Sequence, residues 1–331
     1  MAPENTRRAF WVRSPGSGEI RSGPLPPPGD GEVRVRTLFS GISRGTESLV
    51  FRGAVPPSQH DAMRCPFQEG AFPAPVKYGY MNVGTVEACG PGAEALRGRT
   101  VFCLHPHQDR YVVPADAVVP LPDEVPAARA ILAANLETAI NGVWDAGPGP
   151  GDRVVVIGGG VVGMLAAWLC RSLPGGELLL VDPEPAREET AARLSIPWAP
   201  SVPEALKADR VLHASGSAEG LRAALGVAGD EAVVVELSWF GDAEVGLPLG
   251  EDFHARRLTL RSSQVGRIPP DRAPRWDHRR RLDLALRLLA DPRLDVLITG
   301  ESDFEALPEV MARLASDPGA TLCHRIRYEP A

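Results

Sequence analysis

Positive charge, paired cysteines and long apolar runs are all scarce in this chain of 331 residues, and each scarcity removes a class of function. The net charge is −7, so no long-range field draws nucleic acid or an anionic membrane to the surface. The basic run Arg279-Arg280-Arg281 is short, sits in a helical pattern and reads as a solvated helix face. Five cysteines, Cys65, Cys89, Cys103, Cys170 and Cys323, form no Cys-x-x-Cys pair and are odd in number. That argues against a disulfide framework and a structural zinc knuckle, and for a reducing compartment. No apolar stretch approaches the roughly 18 residues that span a bilayer, and Glu4, Arg7 and Arg8 charge the N-terminus. The expectation is a cytoplasmic protein with no membrane or nucleic-acid partner. Aromatic residues make up only 6%, but hydrophobic residues total 44%, enough at this length to bury the cores of two domains.

What the chain does hold is a turn built for pyrophosphate. The β-branched strand Arg153-Val154-Val155-Val156-Ile157 runs into Gly158-Gly159-Gly160-Val161-Val162-Gly163 and then an apolar helix pattern. Gly158 allows the tight turn, Gly160 lets backbone approach phosphate, and Gly163 lets helix and strand pack closely. Amides at the helix start, at Val161 and Val162, meet the anion. Nineteen residues beyond Gly163, the strand Leu178-Leu179-Leu180-Val181 ends in Asp182, about where a carboxylate accepts hydrogen bonds from the adenosine ribose. A 2′-phosphate would be repelled there, so NAD(H) is favoured and NADP(H) is second. A fortuitous glycine turn with an exposed strand-end Asp is the competing reading, and the order strand, turn, helix, strand, acid weighs against it.

Up to about residue 125 the sequence reads as short strands between Gly/Pro turns, with strands expected at 32–38, 84–88, 101–104 and 111–113. A helix is expected over 127–144, then a Gly/Pro break, then alternating strands and helices to 263. Strands at 210–214 and 232–237 belong to that run, and Ser215-Gly216-Ser217 forms a loop at a carboxyl strand end, where open α/β sheets place ligands. A helix at 280–289, a strand at 296–299 and a helix at 308–316 return to the leading domain. The expected fold is a doubly wound parallel α/β Rossmann sheet, 135–263, plus a β-rich domain formed by 1–134 and 264–331.

This arrangement resembles the medium-chain dehydrogenase/reductase superfamily over nearly the whole chain. Gly41-Ile42-Ser43-Arg44-Gly45-Thr46-Glu47 is similar to the Gly-Ile-Cys-Gly-Thr-Asp segment of zinc alcohol dehydrogenases. Tyr78-Gly79-Tyr80-Met81-Asn82-Val83-Gly84 is similar to their Gly-His-Glu-x-x-Gly, and Arg110-Tyr111-Val112-Val113-Pro114 to their Glu-Tyr-Val-Val-Val-Pro. Arg187, five residues after Asp182, falls where the family has a basic residue near the adenosine. The resemblance implies that the β-rich domain is GroES-like and catalytic, and that the protein is a homodimer or homotetramer. The departures concern zinc. Ser43 replaces a Cys ligand, Tyr80 replaces a His ligand, and Ala133-Ala134 stand near the third ligand position. None is a good zinc donor, and the four-Cys structural lobe is shortened to His105-Pro106-His107-Gln108-Asp109, so a zinc-free member is expected. Ser43-x-Gly45-Thr46-Glu47 is closer in style to the branch containing bacteriochlorophyllide dehydrogenase.

Carbonyl reduction without zinc needs another group to handle the developing alkoxide. Tyr80 is the first candidate if nearby charge lowers its pKa, against a plain cleft-wall role; His105 is the second, as an imidazole titrating in the useful range. Ser43 and Thr46 are candidates for hydrogen bonds to the substrate or nicotinamide ribose. Ser215 and Gly216 are placed with the cofactor. Glu47, a base or a helix-start charge, joins His107, Asn135 and Glu137 as candidate substrate residues, the last two equally readable as cap or surface groups. Metal binding by His105 and His107 is disfavoured because Pro106 breaks a strand; His213 and His254 read as structural. The function expected is zinc-independent NAD(H)-dependent interconversion of a secondary alcohol and a ketone on a small to mid-sized metabolite. Reduction of an activated C=C bond, a non-catalytic NAD(H) sensor and a redox-neutral epimerase are the alternatives.

Overall fold

The computed structural model describes residues 5–317 and 319–328. Contacts divide the chain into two units, Met1–Ala134 with Leu286–Ala331, and Asn135–Ala285.

In the second unit, β-branched and leucine-rich runs become six parallel strands. Their order across the sheet is Trp198–Ala199, Glu177–Val181, Arg153–Ile157, Ala208–His213, Ala228–Glu236 and Thr259–Ser262. Val154, Val155, Val156, Leu180, Val211, Leu212, Val234 and Val235 are buried. Such unbroken apolar runs suit strands covered on both faces by helices. The chain starts in the middle, winds to one edge, then returns to build the other, which is the doubly wound Rossmann order. The point of reversal lies between Arg153–Ile157 and Ala208–His213, where such folds take ligands.

The segment 264–285 stays with this unit, and Arg281 shows why. Expected on a solvated face, it is instead buried, because its guanidinium donates to Glu137 Oε1 at 3.0 Å, to the Val265 carbonyl at 2.6 Å and to Asn141 Oδ1. Charge counting sees an arginine run; only packing shows that its third member points inward. Replacing Arg281 by Met leaves Glu137 buried without its cation, and an expected loss of about 3–5 kcal/mol follows. Urea denaturation of the variant measures it, and a loss below about 1 kcal/mol would refute the ion pair's structural role.

The first unit is β-rich. Its larger sheet has seven strands, ordered Ile298–Asp303, Cys323–Arg327, Glu32–Ile42, Asn82–Cys89, Thr100–Cys103 and Val118–Pro120, with Arg110–Pro114 also pairing Glu32–Ile42. Glu32–Ile42 alternates buried and half-buried positions at its start, as a strand with one face on a core does. Val33, Val35, Val86, Val101, Cys103, Tyr111 and Val113 form that core. Cys323–Arg327 pairs antiparallel with Glu32–Ile42, which ties the tail to the leading sequence. A second sheet joins Ser17–Pro24, Thr6–Ser14, Val76–Lys77 and Glu69–Gly70. The helix expected over 127–144 is broken into Ala127–Ala130 and Ala133–Ala146. No helix of the described residues is long and apolar enough to cross a membrane.

Candidate active site

The glycine turn of the second unit takes the shape its sequence demands. Gly158 adopts φ +106°, a conformation L side chains avoid, and a Cβ there would lie 2.5 Å from the Ser215 amide nitrogen. A Cβ on Gly163 would fall 1.8 Å from the Gly158 carbonyl oxygen, so strand and helix are as close as backbone permits. Gly160, the N-cap of helix Val161–Cys170, faces open space where a side chain would otherwise stand. Asp182 closes the turn: Oδ2 accepts the Gly159 N–H at 2.5 Å and Oδ1 the Glu184 N–H at 2.9 Å. The buried Arg187 has its Cγ 3.2 Å from where a Gly159 Cβ would be. Gly158, Gly160, Val161, Val162, Gly163, Asp182, Arg187 and Ser215 therefore gather around one turn, with Gly216 next along the loop. Open amides, an open glycine and a fixed carboxylate fit a dinucleotide.

In the first unit, strand Glu32–Ile42 passes directly into helix Arg44–Arg52 through Ser43. Glu47, in the helix's first turn, points inward and is buried. Its Oε1 accepts the Ser43 N–H at 2.7 Å, and its Oε2 lies 2.8 Å from His107 Nε2. His107 Nδ1 meets Ser40 Oγ at 2.7 Å, and Ser40 Oγ meets the Tyr328 hydroxyl at 3.0 Å. With Glu47 ionised, His107 carries its proton on Nε2 and accepts from Ser40 on Nδ1. Glu47 is thus a helix-start charge, buried and held by the Ser43 N–H and His107, and not a free base. Ser40 and Tyr328 carry no motif that marks them; sheet pairing brings them here.

Tyr80 shares hydrogen bonds with the Ser43 and Thr46 side chains, and Tyr78 meets its ring edge-on at 6.1 Å. Burial, joined by the charge of Glu47, pushes its phenol above the usual 10 despite those two hydrogen bonds. The lowered pKa expected for Tyr80 is therefore overturned: the nearby charge has the wrong sign, and the phenol stays protonated. His105 is corrected as well. It is buried, stacks on Tyr111 at 3.7 Å and on Phe67 at 5.5 Å, and lies 2.9 Å from the Pro106 carbonyl oxygen through Nδ1. Burial drives its imidazole well below the ordinary value, so it is neutral where an acid–base group would need to titrate. Glu137 is the third correction, since its carboxylate is committed to Arg281; Asn135 is buried near the start of the same helix.

The residues at the positions that resemble zinc-ligand positions do not suit zinc. Ser43 and Tyr80 offer hydroxyls bonded to each other, and Ala133 and Ala134 offer methyl groups. Among the described residues, no group of three or more His, Cys, Asp or Glu is arranged to hold a metal.

No family model matches the chain. The D-guloside 3-dehydrogenase of Escherichia coli (strain K12) is 24% identical over 317 residues, covering 87% of this chain and 87% of its own length. An alcohol dehydrogenase from Escherichia coli CFT073, solved with NADH, superposes with a TM-score of 0.76 at 18% identity over 98% of this chain and 99% of its own. A zinc-binding dehydrogenase from Sinorhizobium meliloti 1021, solved with NADP, gives 0.75 at 19% identity over 98% and 100%.

Proposed function

We propose that the chain, a medium-chain dehydrogenase/reductase by its fold and its likeness to the guloside dehydrogenase, interconverts a secondary alcohol and a ketone on a sugar- or polyol-like metabolite, using NAD(H) and no zinc. The observation that carries this reading is the hydroxyl cluster of Tyr80, Ser43 and Thr46, backed by the buried Glu47–His107 pair, in which Ser43 and Tyr80 stand where the resembled zinc enzymes carry a Cys and a His. When bound, the nicotinamide donates or accepts the hydride. The chain's own residues manage the oxygen. Tyr80 donates a hydrogen bond to the carbonyl and yields its proton to the developing alkoxide; even a raised phenol is far more acidic than an alcohol. Ser43 and Thr46 hydrogen-bond the phenolate left behind, and His107 draws the Glu47 charge away from it by holding one carboxylate oxygen.

The guloside dehydrogenase supports the substrate class, since an alcohol on a polyhydroxylated ring is a secondary alcohol. The two solved relatives hold NADH in one case and NADP in the other, so the cofactor preference rests on Asp182. The zinc-binding description of the second is not carried over, because hydroxyl and methyl groups stand where this chain would need zinc donors.

The test is turnover of a panel of glycosides, sugar alcohols and keto sugars, followed at the NADH absorbance band with chelator-dialysed protein and metal analysis. Turnover by metal-free protein is expected. Activity that disappears with a stoichiometric transition metal would defeat the zinc-free reading. Tight NADH binding with no turnover would leave a sensor in place of an enzyme.

A further inference from the structure

Tight turns ordinarily give their left-handed position to glycine, and in the first unit one turn gives it to a phenylalanine. The Gln68 N–H donates to the Cys65 carbonyl at 3.2 Å, and the Cys65 N–H donates to Gln68 Oε1 at 3.3 Å, closing four residues with Pro66 second and Phe67 third. Proline presets the second position of such a turn, and the third then needs a positive φ. Phe67 supplies it at +57°, where a bulky side chain is strained. Of the four non-glycine residues with positive φ among the described residues, it is the only aromatic one. The strain does not bury the ring in a core: Phe67 stays 37% exposed, one of two large hydrophobic side chains that do so among the described residues. One face of the ring rests on the buried His105 at 5.5 Å, and His105 rests on Tyr111 at 3.7 Å. The turn is fastened to the residues around Tyr80. The Tyr78 hydroxyl donates to the Met63 carbonyl at 3.4 Å, and the Gly79 N–H meets the Cys65 thiol. A Cβ on Gly79 would lie 3.1 Å from His107 Cδ2 and 3.3 Å from Pro106 Cα, so the segment bearing Tyr80 also packs against the residues that follow His105.

We propose that Phe67 is a specificity-determining residue of the Tyr80 site, a stacking platform for the C–H face of a closed sugar ring, which narrows the substrate to a pyranoside-type secondary alcohol in place of an open-chain polyol. The inference rests on the alcohol–ketone reading of that site. A closed ring gathers its axial C–H groups into a flat apolar patch that an aromatic face can cover, taking both surfaces out of water. An open chain turns hydroxyls to every side and offers no such patch. Backbone strain persists where the surroundings impose it, and it collects where a ligand is gripped. Here the strain gains no core burial; it holds one ring face outward on a rigid base of His105 and Tyr111.

The probes are a set of methyl hexopyranosides and sorbitol, each oxidised with NAD by the full chain and followed at the NADH absorbance band. The unaltered protein is expected to favour a pyranoside over sorbitol in kcat/KM. Phe67→Ala and Phe67→Gly should each lower that preference about tenfold, and Phe67→Tyr, which keeps the ring, should hold it within about twofold. The two ring deletions separate recognition from folding. Glycine relieves the positive φ and alanine does not, so the Gly variant should melt about 2–4 °C above the Ala variant while both lose the preference alike. A preference that followed the melting temperatures would make Phe67 a structural residue and overturn the platform. An unchanged ratio in both ring deletions, or a wild-type preference for sorbitol, would overturn it equally and leave the alcohol–ketone reading standing. Turnover of none of the probes by protein that binds NADH would defeat that reading, and the platform with it.

Discussion

NADH is expected to bind the purified chain about 100-fold more tightly than NADPH, a difference of about 2.7 kcal/mol. The reason is the posture of Asp182. Each of its oxygens already accepts a backbone N–H, from Gly159 at 2.5 Å and Glu184 at 2.9 Å, so the carboxylate is stabilised as an anion and held at the turn. Ribose hydroxyls donate to such a group; a 2′-phosphate brings a second negative charge to it. At about 4 Å and an effective dielectric near 20, one unit pair of like charges costs about 4 kcal/mol. Arg187, buried beside Gly159, offsets part of that repulsion. Replacing Asp182 by Ser should weaken NADH by about tenfold through the lost hydrogen bonds and shrink the gap between the cofactors below about tenfold. Calorimetric titration of both cofactors into both proteins measures this. Equal affinities in the unaltered chain would remove Asp182 as the discriminator.

The glycine turn was legible because its demands are local. A positive φ at Gly158, a close approach at Gly163 and an acid at the end of the next strand are properties of a single βαβ unit, and residue order alone carries them. The polar chain in the first unit was not. Ser40, Glu47, His107 and Tyr328 are scattered along the sequence, and Tyr328 reaches Ser40 because Cys323–Arg327 pairs with Glu32–Ile42, placing Ile326 opposite Ser40. Strand register, which the sequence does not display, decides that meeting. His213 and Glu236 are a second instance. The histidine reads as an ordinary strand residue until the parallel register sets a carboxylate beside it. His105 and Arg281 mislead in the opposite way, since a titratable or charged residue type suggests function or solvent. Here one is stacked between rings and the other is fully paired inside the unit.

Tyr80→Phe carries the other large effect. With Tyr80 as the proposed proton donor, removing its hydroxyl should lower kcat for alcohol oxidation or ketone reduction about 100-fold or more, in the range a positioned acid contributes. The dissociation constant for NADH should stay within about twofold, because the glycine turn and Asp182 belong to other elements. That split between kcat and cofactor affinity separates a chemical role from a structural one. Ser43 and Thr46 provide the control. Their hydroxyls lower the Tyr80 phenol, against the larger upward effects of burial and Glu47. Losing either should move it further up, making it a weaker acid and slowing turnover less severely than losing the phenol itself. The sign fixes the pH profile too. A phenol held above 10 is protonated throughout the neutral range, so activity in the reductive direction should show no loss from Tyr80 ionisation between about pH 6 and 9. Glu47→Gln removes the charge that raises the phenol and should bring any alkaline loss to lower pH, while His107 keeps a hydrogen-bond partner in the amide oxygen. A Tyr80→Phe enzyme turning over at the wild-type rate would leave Tyr80 a packing residue of the first unit and the substrate oxygen without an identified proton donor.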